Sequence, residues 1–205
     1  FQPHLEKIIA LKRRECNYIR EQGHPYNSLL DSFEEGMTVE KLKPVFSYLK
    51  KELVQLLSSI KRSDIYKKQH KLLHKKNFPV EKQRFLCEEA IKRIGLSKES
   101  SRLDLSTHPF TQSIGLMDVR ITTNFRENPL FSFFSSLHEA GHALYELQLP
   151  VKEAYTILGD VPSLGIHESQ SRFWENMIGK SEPFWQFYFP IFKKEFGLSE
   201  SFDQW

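Results

Sequence analysis

Apolar residues recur at helical spacing through most of the first hundred positions, switch to alternate positions for a short stretch, and then return to helical spacing. Leu5, Ile8, Ile9, Leu11 and Ile19 stand against Lys and Arg, so residues 1–22 read as an amphipathic helix that Gly23-His24-Pro25 stops. Thr38 offers an N-cap for the next helix, with Lys41 where a full capping box would need Glu or Gln. Leu42, Val45, Phe46, Leu49, Leu53, Leu56 and Leu57 then keep the helical period to about Ile60. Two further helical stretches are expected at 64–76 and 80–95, the second closed by Gly95.

From Ser101 the period is two. Leu103 and Leu105 alternate with Asp104 and Ser106, and Met117, Val119 and Ile121 alternate with Asp118, Arg120 and Thr122. This is the pattern of strands with one buried face. Two strands, joined across H-P-F-T-Q-S-I-G, are expected to form a small sheet around residues 102–125. Asn128 suits an N-cap and Pro129 the first helical position, where its missing N–H costs nothing. That helix runs through Phe131, Phe134, Leu137, Leu144 and Tyr145 and ends before Pro150, and another begins near Gly165. The expectation is a mainly α chain with a small sheet, organised as a single mostly helical domain over 1–205.

Composition narrows the function classes. The chain has 205 residues, 40% hydrophobic and 27% charged, with net charge +3. The basic excess is mild and interspersed with acids, which argues against nucleic acid and membrane as partners. The lysine-rich K-K-Q-H-K-L-L-H-K-K reads as a solvated helix face. Cys16 and Cys87 lack metal or redox spacing, which points to a reducing compartment, the cytoplasm. No window approaches the ~20 apolar residues needed to span a bilayer. The chain opens without Met and stops at F-D-Q-W, so it reads as a segment of a longer chain, incomplete at both ends.

The chemistry is concentrated in F-S-S-L-H-E-A-G-H-A-L-Y-E, which places His138 and His142 four apart on an apolar helix with Glu139 between them. Residues i and i+4 share a helix face, so both imidazoles can reach one divalent ion at about 2.0–2.1 Å. Glu139 points to one side, suited to accept a proton from water. Gly141 leaves room for another segment or for substrate. His70 and His74 repeat the spacing without a Glu and among lysines, whose charge repels a cation, so that pair reads as surface. A third ligand must come from elsewhere. Glu146, Glu153, Asp160, His167, Glu168 and Glu175 are the downstream candidates, and spacing leaves His167 and Glu168 both open.

Four motifs in order then mark a resemblance: H-P-F (His108–Phe110), D-V-R-I-T (Asp118–Thr122), H-E-A-G-H and H-E-S-Q (His167–Gln170). Together with P-Y-N-S-L-L-D-S-F-E-E-G, they make the chain resemble the zinc metallocarboxypeptidases typified by carboxypeptidase Taq. The resemblance implies a helical, gluzincin-like active site. It implies Zn²⁺ (or Co²⁺ in vitro) on His138, His142 and Glu168, with Glu139 as general base and acid. Peptides with a free C-terminus are the implied substrates, and the full-length protein is expected to be a homodimer. His108, Asp118, Arg120 and Thr122 are expected at the substrate. The bland reading of Asp118 and Arg120 is a structural ion pair. Family members are much longer and carry further motifs that are absent here. The alternatives are therefore an inactive or structural helical fragment of such an enzyme, or an endopeptidase with the same zinc helix.

Overall fold

The computed structural model describes residues 1–19, 23–64, 66, 77–199, 201 and 202. Of the helix expected over 64–76, only residues 64 and 66 are among these, so the His70–His74 pair lies outside the described residues. The chain divides into two compact units, residues 1–68 with 162–164, and residues 69–161 with 165–205.

The first unit carries α1 (Gln2–Ile19), α2 (Asn27–Asp31) and α3 (Val39–Arg62). Thr38 takes extended backbone, and its hydroxyl accepts from the Lys41 backbone N–H, as its cap position requires. Ser163 and Leu164 return to this unit, with Leu164 N donating to Phe33 O at 3.0 Å. Apolar burial in this unit is slight: Cys16 is its one buried apolar residue among those described.

The second unit begins with α4 (Val80–Arg93), after which Gly95 takes φ +104°. Three strands follow: β1 (Ser101–Leu105), β2 (Thr111–Gly115) and β3 (Asp118–Thr123). The sheet order is β1-β3-β2, with β1 parallel and β2 antiparallel to β3. The T-Q-S-I-G stretch, expected as a connection, is thus an edge strand. Met117 falls just outside β3 and is exposed. Val119 and Ile121 turn inward, where they share a core with Leu103, Ile91, Ala140 and Ala143.

Asn128 accepts from Leu130 N and starts α5 (Pro129–Glu146) with Pro129 in its first turn. Short 3₁₀ turns at Val151–Glu153 and Ile157–Gly159 lead to α6 (Leu164–Arg172), which continues as a π-helical turn over Phe173–Ile178. Ser181 caps α7 (Glu182–Phe196), which Gly197 ends at φ +64°. The aromatic face of α7 supplies the second core. Phe133 of α5 packs on Trp185, Tyr188 and Phe192 with ring centroids 5.5, 5.0 and 6.4 Å away. Polar atoms that enter this core find partners: Tyr188 Oη donates to Leu86 O at 2.6 Å and Trp185 Nε1 to Gly179 O at 2.8 Å. Cys16 and Cys87 are free and buried, and burial pushes the Cys87 thiol up to about 11. No described helix is long and apolar enough to cross a membrane.

Candidate metal centre and active site

Helical spacing puts His138 and His142 on one face of α5, their ring centroids 5.0 Å apart. What brings a third group to them is a glycine. A Cβ at Gly141 would lie 2.7 Å from both Gln170 O and Ser171 Cα, so only a residue without one lets α5 and α6 approach backbone to backbone. The approach carries Glu168 over the imidazoles. Its Oε2 lies 3.6 Å from His138 Nε2 and 3.3 Å from His142 Nε2. Among the described residues, His138, His142 and Glu168 form the group whose donor atoms converge, all within 4.8 Å of one another. Two imidazole nitrogens and one carboxylate oxygen suit a divalent ion with an open position.

The electrostatics favour that use. Burial, reinforced by the neighbouring His167 and His138, pushes His142 down to about 4, so at neutral pH it is uncharged and its lone pair is free. Burial by itself would raise Glu168. Hydrogen bonds from Arg172 and Ser171 outweigh it and hold the carboxyl below its ordinary range. Arg172 Nε reaches Glu168 Oε1 at 2.7 Å, which leaves Oε2 facing the histidines. His167, the other candidate at this point of the chain, turns elsewhere. Its ring stacks on His142 with centroids 4.4 Å apart, and its Nε2 lies 2.9 Å from Glu146 Oε1. Glu146 in turn accepts from Ser113 Oγ at 2.6 Å.

Glu139 is buried, and burial raises its carboxyl above the ordinary range. Thr111 opposes that rise, with its hydroxyl 2.6 Å from Glu139 Oε2 and 2.9 Å from Glu139 O. Thr111 belongs to the strand that the pattern reading missed. Its position directly after H-P-F is the one sequence feature that could have pointed to it. A cleft of about 580 Å³ opens beside these groups, where apolar Pro109, Phe131 and Phe134 face His138, Glu139 and Arg172.

Comparison with known proteins decides the lineage. The family model described as carboxypeptidase Taq (M32) metallopeptidase matches residues 1–204. The chain belongs to the carboxypeptidase Taq (M32) family. It is 39% identical over 203 residues to thermostable carboxypeptidase 1 of Pyrococcus furiosus, covering 95% of this chain and 39% of that one. It is 40% identical over 210 residues to thermostable carboxypeptidase 1 of Thermus thermophilus, covering 96% of this chain and 40% of that one. The crystal structure of the M32 carboxypeptidase from Deinococcus radiodurans R1 superposes with a TM-score of 0.84 at 37% identity, over 95% of this chain and 39% of the other. The chain thus spans about 40% of the length of the curated relatives it matches.

Within this M32 segment, the motif residues of the sheet divide. Thr122 Oγ1 accepts from Phe110 N at 2.9 Å and so pins H-P-F to β3. His108 is exposed beside Pro109, which lines the cleft. Asp118 and Arg120 form a two-pronged pair, with Nε–Oδ1 2.6 Å and the second N–O distance 2.7 Å. They sit on the opposite face of β3 from Val119 and Ile121, which share a core with Ala140 and Ala143 of α5. Asp118 and Arg120 line a separate cavity with Glu88, Lys98 and Arg102.

Proposed function

We propose that the complete protein is a metal-dependent carboxypeptidase that removes residues from the free C-terminus of peptides. The observation that carries this reading is the convergence of His138, His142 and Glu168 beside a buried Glu139 in a chain of the M32 family. Those three side chains would hold the ion, Zn²⁺ in our reading, with Co²⁺ able to replace it in vitro. A divalent cation there supplies Lewis acidity, which polarises a carbonyl and makes water acidic enough to attack near neutral pH.

Glu139 does the proton work. Its buried carboxylate binds a proton more readily than an exposed one, and Thr111 aims it through the 2.6 Å contact to Oε2. It takes a proton from the attacking water and passes it to the leaving amine. Phe131 and Phe134 form an apolar wall of the cleft, and His108 stands at its Pro109 edge, where we assign it to the substrate. Asp118 and Arg120 satisfy each other away from α5, so we read them as a brace for β3 rather than as substrate contacts. We place the protein in the cytoplasm and the full-length form as a homodimer.

The test is Glu139→Gln in the full-length protein. Metal content stays at the wild-type level while kcat falls about 10²–10⁴-fold, the usual worth of a positioned general base. Unchanged turnover removes Glu139 from this role. A peptide with an amidated C-terminus is left intact by a carboxypeptidase, and its internal cleavage would favour an endopeptidase. The share of its relatives that this segment spans, about 40%, supports a second reading for the segment taken by itself, an inactive helical fragment.

A further inference from the structure

His138 has two ring nitrogens, and both are engaged. Nε2 faces Glu168, while Nδ1 lies 2.9 Å from Glu175 Oε2. Glu175 is brought there by the π-helical turn, closed by Gly179 N donating to Trp174 O at 2.8 Å. That turn is seated on α5 itself. A Cβ at Gly179 would lie 2.7 Å from Leu137 Cδ1, one residue before His138. Glu175 is held in turn, by Lys180 Nζ at 2.7 Å on Oε1 and by Arg172 at 3.3 Å on Oε2. Arg172 also bonds Glu168 Oε1 at 2.7 Å, so one guanidinium ties the two carboxylates together.

We propose that Glu175 is a positioning residue of the metal centre. It accepts the Nδ1–H of His138 and so aims the Nε2 lone pair at the ion. A carboxylate on the far nitrogen of a ligating imidazole fixes its tautomer and ring angle and makes it a better donor. Because Arg172 joins Glu175 to Glu168, the support of the first ligand and the third ligand sit on one continuous piece of helix. His142 differs: no carboxylate holds its buried Nδ1. The two histidines are therefore held by different means, one by a carboxylate and one by packing and the stacked His167 ring. Glu175 was itself a candidate ligand by spacing. Its oxygens are instead taken by His138, Lys180 and Arg172.

This inference rests on the metallopeptidase reading, and the experiment separates the two. Zn²⁺ dissociation constants are measured by chelator competition on the full-length wild type, Glu175→Ala and Glu175→Gln, with the unfolding temperature of each metal-free form. Glu175→Ala binds about 10- to 100-fold more weakly, the usual cost of losing such a support. Glu175→Gln, which keeps an acceptor for Nδ1–H, falls between Ala and wild type. The visible spectrum of the Co²⁺ form shifts in Ala more than in Gln. Both variants lose the ion pairs to Lys180 and Arg172, so equal weakening in both means a charge effect only and overturns the proposal. Constants within about twofold of wild type in both also overturn it. If Glu175→Ala does not fold, Gln decides through constant and spectrum together: weaker binding with a shifted Co²⁺ spectrum supports the assignment, and an unchanged constant, or weaker binding with the wild-type spectrum, refutes it. A wild type that takes up no metal overturns the functional reading and this inference with it.

Discussion

In α3, Val45, Phe46, Leu49 and Leu53 repeat at helical spacing and are 44–59% exposed; in α5, Phe133, Leu137, Ala140 and Ala143 repeat in much the same way and none exceeds 1%. The two helices carry similar patterns, yet among the described residues only the stripe of α5 is covered by neighbours. α5 is flanked by the sheet residues Val119 and Ile121 on one side and by Trp185, Tyr188 and Phe192 of α7 on another. The residues that converge for a metal are all in the tightly packed unit. That is the physically sensible place, because an ion with short, directional bonds needs donors that cannot drift.

The contrast can be broken most directly in the two cores. Phe133→Ala removes a buried ring from the cluster with Trp185 and Tyr188 and is expected to cost about 3–5 kcal/mol. Leu53→Ala, on the exposed stripe, stays within about 0.5 kcal/mol. Denaturant unfolding of both variants measures this, and comparable losses would erase the distinction between the units. A smaller effect is expected where α5 meets α6. Gly141→Val drives carbon into Gln170 and Ser171 and costs about 1–3 kcal/mol by overpacking. It also moves Glu168 off the imidazoles, so Zn²⁺ retention falls; retention at the wild-type level would show that helix spacing does not set the donor geometry.

The smallest effect belongs to the sheet surface. Asp118 is held below its ordinary value by the Arg120 hydrogen bond, so its contribution is present above the unfolded carboxylate value and is lost as pH falls through the lowered folded value. Asp118→Asn is therefore slightly less stable than wild type at neutral pH, and the gap closes on acidification. A gap that widens in acid would contradict the sign.

Local rules carried the sequence reading where the structure is local. Thr38 caps α3 and Asn128 caps α5 through neighbours no more than three residues away, and His138 and His142 meet because a helix makes them meet. Glu168 and Arg172, also four apart on a helix, meet at 2.7 Å by the same geometry. β2 was not legible, because T-Q-S-I-G has a single apolar side chain and so no alternation to read, although it forms a hairpin with β3 across only Leu116 and Met117. Thr111 was hidden for a different reason: it lies 28 residues from the Glu139 it touches. The choice between His167 and Glu168 depended on the rotational phase of α6, which spacing cannot supply and which the family resemblance did. Nothing in F-W-E-N-M-I announces a π turn.

That widened turn makes chain length matter more than residue type between Glu168 and Gly179. Deleting one residue from 173–178 would replace the i→i−5 bond by an ordinary i→i−4 one and leave the chain beyond the turn close to its present phase, because the widened turn is what absorbs the extra residue. Gly179 would keep its seat on Leu137, while Glu175, inside the turn, would swing off His138. One supernumerary residue thus serves the polar fit alone, and the steric fit would outlive its loss.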